Sequence, residues 1–584
     1  MAATQTPLNV HQQHAGDANA RRRRLGGVLR ALTEPRNIAV TLCVIIVAYL
    51  TLTPLVYLLV RTFSGQGGAF GGFSRAFSAA HDPGKMIANS LEFGIISAVL
   101  ALAIGTCLAY LQVRTDVRFK ILLLIASLMP LVIPGLLYAL GWIMLIGPKI
   151  GLFNTITHQL FGAEPFNAYS LWGMIWVQGL HTSPIAFLFM VSAFGAMDPS
   201  LEESAFVSGA SQFTSFRRIT LPLLRPAVVS SLLLVFVLSI ESFEVPAVLE
   251  LQRGIFVFVS ELYDIMKTFP IDYGAAGALA CVLLGFALVA VLAGTWFARG
   301  SRKFQTITGR GFRPEPRPLG RRRGLVTGCV IVYFVVTVAL PVLIIVYAAL
   351  TPYLRTLDLT GLKALTLDNF TTVLHGQTTA GAFKNSLILG IASATVVIAL
   401  SSIVSWLINR TAVRGRRLLE TATMAPLVIP GLVLGLALLF IYLRSSLPIY
   451  GTLLILLLAY TTKLLPYGMR YVGTSMRSMS VELEESARVC GATWWQSIWR
   501  VTLPLVRPAI IGGWVFVLIT SLRELSAPLL VYSPGKQVIS IEMWVYISQG
   551  QMGNMAALGT LLIGCLVVLT TIGYLINRKF ASHM

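Results

Sequence analysis

Twelve long apolar runs decide what this chain can fold into before any motif is considered. They lie at 38–60, 89–112, 120–147, 169–194, 227–250, 274–297, 325–350, 385–408, 418–442, 450–471, 509–531 and 554–577. A helix needs roughly 20 mostly apolar residues to cross a hydrocarbon core about 30 Å thick. In lipid, only helices and closed barrels satisfy their own backbone polar groups. The runs contain Pro and Gly but lack the period-2 alternation of outer-membrane strands. The expected fold class is therefore an all-α integral membrane protein with about twelve transmembrane helices. Composition agrees, with 56% hydrophobic and 12% charged residues and a mean hydropathy of +0.77, outside the range of soluble domains.

A net charge of +21 raises the question of a polyanionic partner. Its distribution answers against nucleic acid. With the N-terminus placed in the cytoplasm and the runs threaded alternately, 32 Lys and Arg fall in or at the edge of inward-facing segments. Only 11 fall in outward-facing ones, and Lys463 and Arg523 lie within spans. This is the positive-inside bias that fixes topology. The "RRRR" at 21–24 reads as part of it, and the apolar run that follows is too long for a cleavable signal peptide. The expectation is a multi-pass protein of a bacterial inner membrane with both termini cytoplasmic. Cys43, Cys107, Cys281, Cys329 and Cys565 lie in spans and Cys490 in a loop. With no C-x-x-C pair, they predict packing rather than disulfides or a metal site.

The chain repeats itself. "LMPLVIPGLL" (128–137) returns as "MAPLVIPGLV" (424–433), and "ANSL" (88–91) as "KNSL" (384–387). Six runs fall in each copy, so both copies point the same way through the membrane. The expected division is a basic cytoplasmic tail at 1–37, a first half at 38–297, a Pro-, Gly- and Arg-rich cytoplasmic linker at 298–324, a second half at 325–577 and a cytoplasmic tail at 578–584. Two equivalent halves point to a pathway between them.

One polar stretch is also written twice. "EESAFVSGASQFTSFRRITLPLLRP" (202–226) matches "EESARVCGATWWQSIWRVTLPLVRP" (484–508) at 15 of 25 positions without a gap. Both fall between the fourth and fifth runs of a half. Asp198 or Ser480 is suited to cap a short helix, Pro199 to open it, and the pairs Glu202–Glu203 and Glu484–Glu485 to its positive end. Gly209 and Gly491 then end that helix, since glycine adopts positive φ without strain. A second short helix bears Phe213 and Phe216 in one copy and Trp495 and Ile498 in the other, and Leu221-Pro222 and Leu503-Pro504 are expected to stop it before the next span. One such stretch alone reads as an ordinary solvated loop; two with fixed internal spacing read as a pair of docking knobs.

The spacing E-[AS]-A-x3-G-x9-[IV]-x-L-P, at Glu203, Ser204, Ala205, Gly209, Ile219, Leu221 and Pro222, resembles the EAA loop of ABC-importer permeases. The second copy reads Glu485, Ser486, Ala487, Gly491, Val501, Leu503 and Pro504. Both copies have Ser for the middle Ala, and the second has Val for Ile. With "NSL", "PLVIPG" and the number of spans, the whole chain is similar to fused, two-half type I permeases of the ferric-iron kind, a group close to thiamine, phosphonate and polyamine permeases. The resemblance implies two copies of an ABC ATPase docked on the loops at the cytoplasmic face, and a periplasmic binding protein that delivers substrate. It also implies that ATP and Mg sit on the partner, with no cofactor and no catalytic residue on this chain. Gly84-Lys85 and Gly535-Lys536 are the only Gly-Lys pairs, and neither is followed by Ser or Thr, so no Walker A loop is present.

Ionisable groups inside spans are costly and are functional candidates by default. Glu241 and Glu244 lie in the fifth run, Arg523 and Glu524 in its counterpart, and Lys463 in the tenth, aligned with His181 in the fourth. Glu241 aligns with Arg523. Pairing of Glu241 with Arg523 or Lys463 to assemble the bundle is one reading; contact with substrate is the other. Pro130, Pro134 and Gly135, with Pro426, Pro430 and Gly431, interrupt the third run of each half and are candidate gate elements, although proline is also common in membrane helices. A ferric ion suits the carboxylates, whereas Lys463 and Arg523 suit an anion equally well. An ion-coupled secondary carrier also accommodates repeats and embedded charges but gives no reason for two docking loops.

Overall fold

The computed structural model describes residues 35–64, 68, 70–79, 82–198, 200–250, 254–299, 317–357, 361, 363–411 and 415–581. Residues 21–24, Pro199 and most of the linker lie outside them. Among the described residues the structure is helical, with one isolated bridge between Thr115 and Arg317.

Local chemistry starts the long helices where the apolar runs begin. Helix α1 spans Pro35–Phe63 and α2 Pro83–Arg114, the latter opened by Pro83 behind an Asp82 cap whose Oδ1 accepts from Lys85 N at 3.1 Å. The third run divides into α3 (Lys120–Val132) and α4 (Gly135–Ile146). Ser170 caps α5 (Leu171–Ala196) by accepting from Gly173 N at 3.0 Å. There follow α6 (Ser200–Val207), α7 (Leu221–Ile240), α8 (Glu244–Glu250), α9 (Phe258–Lys267) and α10 (Tyr273–Arg299). The second half repeats the order. It comprises α11 (Arg323–Phe334), α12 (Leu340–Ala349), α13 (Gln377–Arg410), α14 (Arg416–Met424), α15 (Gly431–Tyr442), α16 (Leu453–Ser478), α17 (Glu482–Val489), α18 (Leu503–Arg523), α19 (Ile539–Ser548) and α20 (Met552–Ala581).

Nine helices among the described residues are long and apolar enough to cross a membrane, and two bent pairs bring the number to eleven. The remaining predicted span is α16. Its 26 residues reach about 39 Å, but Lys463, Arg470 and Arg477 make it less apolar. The interruptions expected in the third runs are sharp bends. The chain turns by 107° between α3 and α4 and by 106° between the Arg416–Val428 segment and α15. A residue before proline is driven to extended backbone. Ile133 (ψ 126°) and Ile429 (ψ 114°) obey, and a new helix starts after each proline. Every residue of α4 is buried, as are all but Ile441 in α15.

The fifth spans depart from expectation. A straight crossing at 227–250 is replaced by α7, a break at Glu241–Phe243, and the short α8. In the second half α18 ends at Arg523, and Glu524 is extended. In each half one long helix (α2, α13) packs along two later ones (α5 and α7, α16 and α18). The halves also exchange their opening helices: α1 lies on α14 and α15, while α11 and α12 lie on α3 and α4. Tyr49 and Tyr442 bond through their hydroxyls across this seam, and Tyr138 donates to the Thr337 carbonyl at 3.1 Å.

Candidate translocation cavity and docking loops

The repeated polar stretches form matching corners. Asp198 Oδ1 accepts from Ser200 N at 2.9 Å, and this amide holds the Asp198 carboxyl below its usual range. Ser480 Oγ accepts from Glu482 N at 3.3 Å. Helices α6 and α17 close at Gly209 (φ +82°) and Gly491 (φ +85°). Ala210 N returns to Ala205 O and Ala492 N to Ala487 O, at 2.9 and 3.0 Å, which is the Schellman arrangement that needs positive φ.

The two glutamates of each pair diverge. Glu202 and Glu484 are only 2% and 3% exposed. Thr220 Oγ1 donates to Glu202 at 2.5 Å and Thr502 Oγ1 to Glu484 at 2.9 Å. Glu202 also accepts from Arg317, and Glu484 lies 3.2 Å from Arg410. Glu203, Ser204, Glu485 and Ser486 face outward, with Ala205 and Ala487 half-buried. Phe213 (71% exposed) and Trp495 (59%) are exposed, Phe216 is at the edge of exposure, and Ile498 is half-buried. Sequence reasoning missed Val207 and Val489, 91% and 88% exposed, and the exposed Trp499. The valines had a signal, being the same apolar residue at the same place in both polar stretches.

Leu221-Pro222 and Leu503-Pro504 do not stop the second helix, contrary to expectation. A π turn at Phe216–Thr220, and another at Ile498–Thr502, carries the helix onward into α7 and α18. Leu221 N reaches back to Phe216 O and Leu503 N to Ile498 O. This wider spacing accommodates a proline that lacks its own donor and would otherwise crowd the preceding turn. Phe213–Ile240 is thus one continuous 28-residue helix from docking corner to membrane interior.

At the far end of that helix lies a cavity of about 600 Å³ between the halves. His181, Glu241, Glu244, Lys463, Arg523 and Glu524 line it, as does Pro134; Pro130, Pro426 and Pro430 stay buried on the bends and do not. Lys463 donates to Glu524 Oε1 at 2.8 Å, which also accepts from Ala527 N at 3.2 Å. Arg523 donates to the Leu131 carbonyl, and His181 Nε2 lies 3.2 Å from the Ile133 carbonyl. Two cavity side chains therefore meet carbonyls that the bend at Pro134 removes from regular helix bonding. The pairing of Glu241 with Arg523 or Lys463, one of the two readings of the sequence, is not among the ion pairs of the described residues. Glu524 takes Lys463 instead, and Glu241 Oε2 is buried without a hydrogen-bond partner. A Cβ at position 135 or 431 would require the side chain beside it to shift. The Glu244 carboxylate fills the space at the start of α4, and the Lys463 ammonium the space at the start of α15.

Arg470, Tyr467 and Tyr471 also line the cavity and were missed. With Lys463 they fall at i, i+4, i+7 and i+8, one stripe of a helix, and that spacing was the available signal. The lining runs along α5 from Gln178 to Ser192, toward the end that carries α6. On the other side Phe243 packs 5.0 Å from Tyr263 of α9 and 5.2 Å from Trp544 of α19, and Trp544 Nε1 donates to Tyr263 Oη at 2.8 Å. Among the described residues no group of three or more His, Cys, Asp or Glu is arranged to hold a metal ion.

The family described as "Binding-protein-dependent transport system inner membrane component" matches residues 93–303 and again 398–584. A ferric transport system permease protein, FbpB, of Actinobacillus pleuropneumoniae is 26% identical over 489 residues, covering 82% of this chain and 69% of that protein. A putative ferric transport system permease protein, FbpB 1, of Haemophilus influenzae is 26% identical over 468 residues, 78% and 72% of the two chains. A putative 2-aminoethylphosphonate transport system permease protein, PhnV, of Salmonella typhimurium is 26% identical over 252 residues, 43% of this chain and 93% of its own. With the family matching once in each half and over more than half of the sequence, this chain belongs to the binding-protein-dependent inner-membrane transport components, as a fused, two-half ABC-importer permease.

Proposed function

We propose that this chain imports ferric iron, taking it from a periplasmic binding protein and moving it inward with ATP hydrolysed by two copies of a separate ATPase. The ATPase subunits dock on α6 and α17 at the cytoplasmic face, where both termini also lie. Glu203, Glu485 and the exposed Val207, Phe213, Val489 and Trp495 form the contact. ATP and Mg stay on the partner. The observation that carries this reading is the pair of docking corners, each continuous through a π turn with a helix ending at the cavity charges. A push on either corner reaches Glu241 or Arg523 through a single rigid element. Charged groups at interrupted helices deep in the membrane are the usual setting of a transport site.

The ferric relatives favour iron as the substrate. Glu241, Glu244, Tyr467 and Tyr471 offer hard oxygen donors of the kind that ion takes. Scattered donors suit passage rather than storage, because a tight site would hold the ion. Arg470 and Arg523 favour a second reading in which the same machine carries an anion such as a phosphonate. Vesicles containing the chain, its ATPase and its binding protein separate these readings. Radioactive iron should accumulate only with ATP and both partners, and excess phosphonate should not compete. Uptake by the chain alone, driven by an ion gradient, would falsify the importer reading.

A further inference from the structure

The two docking corners share a sequence but not a support. In the second half, Glu484 is braced from within. Arg410, the last residue of α13, pairs with it, and the Arg410 Nη2 donates to the Met476 and Met479 carbonyls at 3.0 and 2.8 Å. Its equivalent, Arg114, ends α2 in the same way, yet its Nη2 reaches only the Met197 carbonyl, at 3.3 Å. Glu202 lies within electrostatic reach of Arg114 but takes its hydrogen-bonded cation from elsewhere. Arg317, on the segment leading into α11, donates to Glu202 Oε2, and its guanidinium lies 4.7 Å over the Phe206 ring.

The backbone around Arg317 is pinned too. Arg317 N donates to Arg114 O at 3.0 Å, and Asp116 N donates to Arg317 O at 3.2 Å. Asp116 Oδ1 accepts from Leu319 N at 2.8 Å, and its other oxygen lies 3.6 Å from Arg323. Arg317 thus precedes the opening helix of the second half but completes the docking corner of the first.

We propose that Arg317 is a positioning residue: a strap that ties α6 to α11, so that a push on the first docking helix moves the second half directly as well as α7. The proposal rests on α6 and α17 being the ATPase docking helices. A guanidinium suits the task because one planar group both bonds a carboxylate and stacks on a ring. In the second half Arg410 already occupies the equivalent place, so the two corners are mechanically unequal.

The test uses the full transporter in vesicles and reads substrate imported per ATP hydrolysed, beside the amount of ATPase retained. Arg317→Gln should keep the ATPase but lower that ratio about tenfold, the scale of one charge-assisted hydrogen bond acting on a two-state element. Arg317→Lys, which keeps the charge without the planar stack, should fall between. A merely structural role would lower the amount of assembled complex and leave the ratio unchanged. Should Arg317→Gln fail to assemble, Phe206→Leu removes the stacked ring without stranding a charge and must lower the same ratio. An unchanged ratio in assembled variants overturns the strap. Failure of the unmodified chain to retain any ATPase removes the docking reading and the strap with it.

Discussion

Each docking corner uses one glutamate as an internal brace and presents the other. Glu202 and Glu484 are buried against a threonine hydroxyl and an arginine, whereas Glu203 and Glu485 face outward. Breaking a buried ion pair costs about 3–5 kcal/mol, and an exposed substitution usually stays within about 0.5 kcal/mol. Glu202→Ala and Glu484→Ala should therefore lower the thermal stability of the purified chain. Glu203→Ala and Glu485→Ala should leave it in place and weaken only capture of the ATPase. Equal destabilisation by both kinds of variant would reject this division. The cavity charges divide similarly. Lys463 and Glu524 are bonded partners, so Lys463→Met or Glu524→Gln alone should impair assembly, and the double variant should recover it. Glu241 presents a buried oxygen that nothing bonds. Glu241→Gln should assemble normally and lose uptake, measured as initial rate in vesicles; full uptake would leave Glu241 outside the pathway.

The helix that joins corner to cavity is the element on which the transport reading depends. From Phe213 to Ile240 it has no break, because the π turn absorbs Pro222. Two glycines inserted between Thr220 and Leu221 should uncouple the ends. The ATPase would still bind and hydrolyse ATP, but uptake would vanish and the binding protein would no longer stimulate hydrolysis. Stimulated hydrolysis in that variant would rule the lever out. Much of this architecture was legible in the chain itself. A constant offset between the polar stretches aligned Glu241 with Arg523, and the proline after a β-branched residue marked both bends. The charge partners were not legible. The run 227–250 was long enough for a full span, and Glu241, Glu244 and Pro246 within it were compatible with a kink as well as with a break, so the exact point at which the backbone leaves the helix was not fixed. In the second half that same departure turns Glu524, not Glu241, toward Lys463. The proline after each docking corner looked like a stop because a π turn leaves no mark in composition.

At the scale of the molecule, the halves are interlocked by their exchanged opening helices, and the pathway lies along the seam that remains between them. The seam is open toward the end carrying α6, where Leu188 and Ser192 line the cavity, and closed on the other side by rings from both halves. Alternating access requires that closure to come apart when the corners are driven together. Contacts in this closure include the hydrogen bond from Trp544 to Tyr263, worth about 1 kcal/mol, and ring contacts worth about 0.5–1.5 kcal/mol beyond their buried area. Trp544→Ala removes the hydrogen bond and two of the ring pairs together, and should bias the protein toward the state open on the far side by about tenfold or more. Two readouts follow from that bias. Hydrolysis of ATP without the binding protein should rise, because the step it normally promotes is already favoured. A cysteine at Ser192 should lose reactivity toward a small aqueous thiol reagent, since the cavity mouth closes as the far side opens. If Trp544→Ala leaves both the basal hydrolysis and the Ser192→Cys labelling rate unchanged, the aromatic contact is ordinary packing and the gate lies elsewhere along the seam.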